Sequence, residues 1–147
     1  MTTIAVRGGV MAADTLGSIG GKRTRAKKLF RCDNGHIIGI DGYWLDGKLF
    51  VDWYNAGANR DEPPKWRTQG DEKVEFTALV LTPTGVYWWS HELVADEMFD
   101  EFWAIGSGSE SAIAAMYCGL GSEAALSIAI QVDNSTGGDV ETMELAE

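Results

Sequence analysis

The first fourteen residues constrain the fold most, because they place a β-strand at the very start of the chain. Two short runs rich in apolar and β-branched residues, 3–6 and 10–13, flank Arg7 and the pair Gly8-Gly9. Consecutive glycines supply the positive φ angles that a tight hairpin turn requires. The sequence therefore predicts an N-terminal β-hairpin whose first strand begins directly after Thr2.

The position of Thr2 behind Met1 gives this threonine a specific chemical capacity. Removal of Met1 would leave a hydroxyl and a free α-amine on one residue. An α-amine has a pKa of roughly 7.7–8.0, so near neutral pH it can accept the proton of the hydroxyl. The pattern favours a nucleophile with its own base, and the simpler alternative is an ordinary small residue at position 2.

Turn signals divide the rest of the chain into further hairpins. Residues 28–32 and 36–40 flank Asn34-Gly35, which is a strong hairpin signal. Residues 73–81 and 86–90 flank a second turn, and a last strand is predicted over 140–145. The segment between the first two hairpins is glycine-rich and basic and is interpreted as a loop. Residues 55–73, with Pro63 and Pro64, are interpreted as an exposed connection.

Helix-period apolar spacing predicts three helices, over 43–54, 111–120 and 122–132. Ser109 or Ser111, and then Ser122, are the expected N-caps of the last two. Helices that follow runs of hairpin-forming strands indicate an α+β fold with helices packed on antiparallel sheets. A length of 147 residues fits one domain spanning 1–147.

Net charge, cysteine spacing and histidine spacing restrict which partners, compartment and metal sites we expect. The net charge is −10, so we expect neither a nucleic acid nor an anionic membrane as partner. The run 22–31 departs from this acidic character, because it is rich in lysine and arginine. Cys32 and Cys118 show no CxxC spacing, and no secretory signal or long apolar segment is evident, which predicts a reduced, cytoplasmic protein. His36 and His91 are too separated for a recognisable metal site, and we expect no metal or cofactor.

Several stretches together resemble the proteasome β-subunit family, including the bacterial two-component protease whose peptidase rings work with an ATP-driven unfoldase. The matching segments, in chain order, are 2–6 with 10–14 (TTIAV and VMAAD), 27–30 (KKLF), 104–108 (AIGSG) and 133–138 (DNSTGG). The resemblance covers both ends and most of the chain. It implies an N-terminal-nucleophile hydrolase, with a four-layer αββα sandwich and here a shortened helical layer.

The resemblance also assigns roles to residues. It implies that Thr2 is the nucleophile and that the Lys28 ammonium favours its alkoxide and keeps the amine neutral. Asp14 would hold that ammonium charged and oriented, and the Gly42 N–H would stabilise the tetrahedral intermediate. Three further residues would fix the amine and relay protons; these are Ser107, Asp133 and Thr136.

Simpler interpretations of the same residues stay open. Strand alternation sends only one of Lys27 and Lys28 inward, and the resemblance favours Lys28. Asp14 fits a turn, Gly42 a loop, Ser107 the start of a helix, and 133–138 a helix stop.

The chain departs from the family around Gly42 and in size. Asp41 precedes this glycine and Tyr43 follows it, where the family usually has small residues. A carboxylate at position 41 would oppose the developing oxyanion unless it points away. The family also carries two long helices after this glycine, and only the segment 43–54 is predicted here.

The most consistent function is a threonine-type peptidase that acts on peptides or unfolded proteins. We expect a homo-oligomer. The resemblance also implies a ring and an ATP-driven unfoldase partner, but the missing helix weakens both of these expectations. Six tryptophans could cover a self-association surface or fill the core. The alternatives are an amidohydrolase for a small amide, and an inactive assembly protein that keeps Met1.

Overall fold

A computed structural model describes residues 1–68 and 74–146 of the chain. The predicted connection over 55–73 and the predicted strand start at Lys73 fall partly on residues 69–73, outside the described residues. The chain forms eleven strands and three helices within the described ranges: β1 Thr3–Arg7, β2 Val10–Asp14, β3 Leu16–Ile19, β4 Lys22–Arg25, β5 Leu29–Arg31, β6 Ile37–Gly42, α1 Trp44–Asn55, β7 Phe76–Thr82, β8 Gly85–Trp89, β9 Asp96–Met98, β10 Phe102–Gly106, α2 Ser109–Tyr117, α3 Ser122–Val132 and β11 Val140–Glu144.

The strands form antiparallel sheets. One sheet has the order β10-β1-β2-β11, the second has the order β5-β6-β7-β8-β9, and β3 pairs only with β4. The N-terminal strand β1 is thus central in the first sheet, between β2 and β10. This central position fixes the start of the chain, because β10 pairs with β1 from Arg7 back to Thr3 and β2 pairs with it from Arg7 back to Ile4.

The predicted hairpins and helices form close to their expected bounds. Gly8 and Gly9 have φ angles of 60° and 75°, as the β1–β2 turn requires. Gly35 has a φ of 88° in the β5–β6 turn. The predicted helix 43–54 forms as α1, and no second helix follows it before β7 in the described residues. The α+β class of the fold agrees with the sequence prediction.

The predicted loop between the first two hairpins is wrong. Most of it forms the β3–β4 hairpin, which turns at Gly20 and Gly21 with φ angles of 56° and 76°. Both strands are largely exposed, so neither carries the alternation of apolar residues that marks a half-buried strand. Strands β9 and β10 were not predicted as strands, and β9 likewise has little buried surface.

The predicted serine caps are also wrong. The N-cap residues are Gly108 for α2 and Gly121 for α3, with no side-chain cap in either helix. The hydroxyl of Ser122 instead donates to the carbonyl oxygen of Val10 at 3.0 Å. This bond ties the start of α3 to strand β2.

Three apolar clusters organise the packing. Residues from β1 and β2 pack against residues from β5, β6 and β7, so the two large sheets face each other. The opposite face of β1 and β2 packs on α2 and α3 through small side chains such as Ala5 and Ala12. The other face of the second sheet packs on α1, where Phe50 is fully buried. Alternation along each strand supplies both faces.

Helix α1 lies close to strand β6 because it contains Gly47. A Cβ atom at this position would lie 2.9 Å from Cδ1 of Ile40, tighter than an ordinary van der Waals contact. The glycine lowers helix propensity, and here it permits the approach that buries Phe50.

Five of the six tryptophans are buried or partly buried against the core clusters, whereas Trp44 is 64% exposed. The aromatic residues therefore mainly fill the core.

A buried carboxylate in the first turn of α1 fastens the connection that follows the helix. Asp46 is fully buried, and its oxygens accept hydrogen bonds from the Arg67 N–H at 2.7 Å and from Nε2 of His91 at 2.8 Å. Burial alone would raise the pKa of Asp46, but the bonds from His91, Arg67 and Thr68 together lower it.

None of the described helices has the length and hydropathy needed to cross a membrane.

Candidate active site

Asp14 is the centre of the site, at the end of strand β2. Its side chain is fully buried. One carboxylate oxygen, Oδ1, accepts from the backbone N–H of Thr3 at 3.0 Å and from Nζ of Lys28 at 2.9 Å. The other, Oδ2, accepts from the backbone N–H of Gly137 at 3.1 Å. Three donors satisfy this buried charge, as a buried carboxylate requires.

Lys28 lies just before strand β5 and turns into the protein. It is 6% exposed, whereas the neighbouring Lys27 is exposed. Besides its bond to Asp14, the Lys28 Nζ donates to the carbonyl oxygen of Met1 at 3.1 Å. Burial lowers the pKa of Lys28, and the hydrogen bond and charge of Asp14, with a smaller contribution from Asp41, oppose that shift. The ammonium is thus held against the peptide group that joins Met1 to Thr2.

A cavity of about 500 Å³ opens beside this pair. Thr2 lines it and is itself 6% exposed, while Met1 is largely exposed. Lys28 and Gly42 line the same cavity. The carbonyl oxygen of Thr2 accepts from the backbone N–H of Ser107 at 2.8 Å, which fixes the main chain at this residue.

A second hydrogen-bonded group lies on the other side of Thr2. Asp133 Oδ2 accepts from the hydroxyl of Ser107 and from the hydroxyl of Thr136, each at 2.5 Å. These two bonds, with that from Ser107 the larger, lower the pKa of Asp133. The Ser107 hydroxyl also lies 3.5 Å from the Thr2 carbonyl oxygen. The loop after β10 and the turn after α3 therefore meet at the start of β1.

Thr3 contributes a contact that the sequence analysis missed. Its fully buried hydroxyl lies 2.8 Å from the Thr136 hydroxyl and accepts from the Gly108 N–H at 3.0 Å. The Thr3 hydroxyl therefore has a structural role, because it joins β1 to both neighbouring loops. Thr3 follows Thr2 directly on a strand, and because successive side chains of a strand alternate, this position predicts that the two threonines face opposite ways.

Gly42 ends strand β6 with a φ of 92°, a left-handed conformation that favours glycine. A Cβ here would collide with the carbonyl oxygen of Glu75. Asp41 lines the same cavity. Burial raises the pKa of Asp41, while the neighbouring Gly42 N–H, the charge of the N-terminus and that of Lys28 act to lower it. The Asp41 carboxylate thus lies near the N–H that the resemblance assigns to the oxyanion.

Replacing Asp41 with asparagine is expected to stabilise the protein at neutral pH. Because the folded-state pKa is raised, the ionised group destabilises the fold, and that cost disappears as the pH falls below the ordinary carboxyl range. We expect the Tm of D41N to exceed that of the parent by about 1–3 °C at pH 7.5 and to equal it near pH 3.5. Thermal unfolding at both pH values measures this, and a constant difference would contradict it.

The structure brings all seven predicted site residues to one end of the paired sheets. Six of them form two hydrogen-bonded groups, Lys28 with Asp14 and the Thr2 carbonyl with Ser107, Asp133 and Thr136. Thr3 joins the two groups, because its N–H donates to Asp14 and its hydroxyl lies 2.8 Å from the Thr136 hydroxyl. Gly42 lines the same cavity as Thr2 and Lys28. Their roles in catalysis stay predictions. No group of three or more metal-ligating side chains is arranged around an ion site in the described residues.

The paired sheets and their outer helices form a proteasome β-subunit-like fold, in which Thr2 lies beside the buried Lys28–Asp14 pair. Solved structures with the same fold include Thiobacillus denitrificans BPH, at 22% identity and a TM-score of 0.68 over 99% of this chain and 98% of that one. Its complex with Epoxomicin is equally similar, at 22% identity and 0.68 over 99% of both chains. Eukaryotic HslV from Trypanosoma brucei matches at 21% identity and 0.67 over 98% and 99%. No protein-family model and no curated protein sequence matches the chain.

Proposed function

We propose that the protein is a threonine peptidase in which Thr2, freed of Met1, is the nucleophile. The observation that carries this proposal is the buried Asp14–Lys28 pair, held between the N–H of Thr3 and the carbonyl of Met1. A buried ion pair is a costly way to stabilise a fold. The Lys28 ammonium contacts the carbonyl of the Met1–Thr2 peptide bond, whose cleavage would free the Thr2 amine, and this contact favours a chemical role.

The reaction would begin with a proton transfer within Thr2. The neutral α-amine takes the hydroxyl proton as the oxygen attacks the substrate carbonyl carbon, forming a tetrahedral intermediate. The nearby Lys28 ammonium favours the neutral form of the amine and the negative charge on the oxygen. The amine then gives its proton to the departing nitrogen. An ester on Thr2 remains, and water hydrolyses it with the same amine as base.

The negative charge of the intermediate needs a donor, and the Gly42 N–H is the candidate. The Asp41 carboxylate lies near that N–H, so the substrate oxygen would compete with it for the bond. Ser107 and Asp133 would hold the amine side of Thr2, because their hydrogen bonds fix its main chain.

The full architecture follows from the same proposal. Three apolar clusters alternate with two sheets and with helices on both outer faces, which supports the αββα sandwich with a reduced α1 side. A homo-oligomer and a peptide or unfolded-protein substrate belong to the same proposal, as the resemblance to the proteasome β-subunit family implies. A ring and an ATP-driven unfoldase partner belong to this proposal too, and sedimentation would test the ring.

The experiment is intact mass spectrometry of the purified protein before and after treatment with Epoxomicin, a peptide epoxyketone present in one similar structure. Its ring-forming adduct requires both the hydroxyl and the amine of an N-terminal threonine. We expect loss of Met1 and an added mass located on Thr2. A protein that has lost Met1 and gains no mass contradicts the proposed nucleophile. Retention of Met1 with no adduct supports an inactive protein.

A further inference from the structure

The cavity beside Thr2 is lined by two chemically different sets of residues. Lys28, Asp41 and Gly42 line it together with Thr2. Phe30, Lys27 and Lys48 also line it and form the Phe30 cluster, in which the Lys48 Nζ lies 4.4 Å from the centre of the Phe30 ring and the Lys27 Nζ lies 5.4 Å from it. Cation–π attraction holds each ammonium over the ring.

The two ammonium groups lie less than about 10 Å apart, within about one Debye length at 0.1 M salt, so they repel each other. In the described part of the chain, neither lies within 4.0 Å of a carboxylate; the ion pairs found there involve Arg7, Arg25, Lys28 and His91. The other lysine and arginine residues of the cavity lining are paired with carboxylates, Lys28 with Asp14 and Arg25 with Asp139. Lys27 and Lys48 stay available for an external anion.

The one carboxylate among the described residues that line the cavity is that of Asp41, and the cationic groups that act on it are the N-terminus and Lys28, not Lys27 or Lys48. The cavity lining also includes Ile40 and the 64% exposed Trp44. Trp44 and Lys48 are one helical turn apart on α1, so both face the cavity. A chain of net charge −10 thereby concentrates positive charge at one place.

We propose that the Phe30 cluster binds the acidic side chain, glutamate or aspartate, of the substrate residue whose carbonyl Thr2 attacks. The carboxylate would lie between the Lys27 and Lys48 ammonium groups, and the glutamate methylenes would lie on the ring of Phe30. Charge-assisted hydrogen bonds to the exposed Lys27 and the partly exposed Lys48 would give about a tenfold preference. This inference rests on the proposed function, since it names the substrate class of the same site.

The first test compares fluorogenic peptides that differ only in the residue before the cleaved amide: glutamate, glutamine, leucine or lysine. We expect kcat/KM for the glutamate peptide to exceed that for the glutamine peptide about tenfold, and the preference to fall in high salt. Lys48→Met and Lys27→Met should each lower turnover of the glutamate peptide and leave that of the leucine peptide unchanged. Lys48→Glu should reverse the preference toward lysine. Lys65→Met, an exposed lysine outside the cavity, is the matched control.

A binding measurement separates this inference from the proposed function. In the Thr2→Ala variant, titration with uncleaved peptide amides ending in glutamate, glutamine or lysine is followed by the fluorescence of Trp44, with Trp44→Phe as the reference. Tighter binding of the glutamate peptide that is lost in Lys48→Met supports the inference even if no peptide is hydrolysed. Equal affinities for the three peptides, or equal turnover of glutamate and glutamine peptides, would overturn it while leaving a threonine peptidase in place.

Discussion

Replacing Thr2 with alanine is expected to lower kcat/KM for peptide hydrolysis by at least about a thousandfold, because the variant keeps the α-amine and loses the attacking oxygen. The fold should be retained. Thr2 makes its structural contacts through its carbonyl oxygen, which accepts from the Ser107 N–H. Hydrolysis of a fluorogenic peptide, with the unfolding midpoint of the same samples, measures both effects.

Two variants make this test specific to the hydroxyl of Thr2. Thr2→Ser keeps an oxygen nucleophile and should retain measurable turnover. Thr142→Ala removes an exposed threonine of β11 and should behave as the parent does. Turnover that survives in Thr2→Ala would refute the assignment. Thr3 would not be the replacement candidate, because its hydroxyl is fully buried and already bonded to Thr136 and Gly108.

The parts of the fold that sequence predicted are those with a strong local signal. Gly8-Gly9 and Asn34-Gly35 mark hairpins because their backbone conformations are rare in other residues. The β3–β4 hairpin was interpreted as a loop, although Gly20-Gly21 repeats the first signal. Its strands bury little surface, so the apolar alternation that marks a strand is missing there.

The sequence predicted which residues belong to the site, but it did not predict the hydrogen bonds and tertiary contacts between them. Resemblance to a family supplied Lys28 rather than Lys27, a choice that strand alternation alone leaves open. The bond from the Gly137 N–H to Asp14 spans 123 positions and leaves no local trace in the sequence. The pairing of His91 with the buried Asp46 and the convergence of Lys27 and Lys48 on one ring are likewise products of tertiary packing.

Replacing Lys28 with methionine is expected to affect stability and activity together, for separable reasons. Asp14 would stay fully buried with its strongest partner removed, and breaking such a pair costs about 3–5 kcal/mol. For a chain of this length that lowers Tm by about 10 °C. The loss of the ammonium beside Thr2 should also lower kcat/KM for a leucine peptide by about a hundredfold or more and shift its acid limb to higher pH, because the amine then protonates more readily.

The double variant Lys28→Met/Asp14→Asn separates the two effects. Removing the unpaired charge should restore much of the lost stability, because a neutral amide costs less to bury than a carboxylate without a cation. Activity should stay low, since no ammonium is returned. Lys22→Met, an exposed lysine of β4 outside the cavity, is the matched control and should match the parent in both assays. If activity returned with stability, Lys28 would be a structural residue, and if Lys27→Met instead abolished turnover of the leucine peptide, the inward-facing lysine would be misassigned by one position.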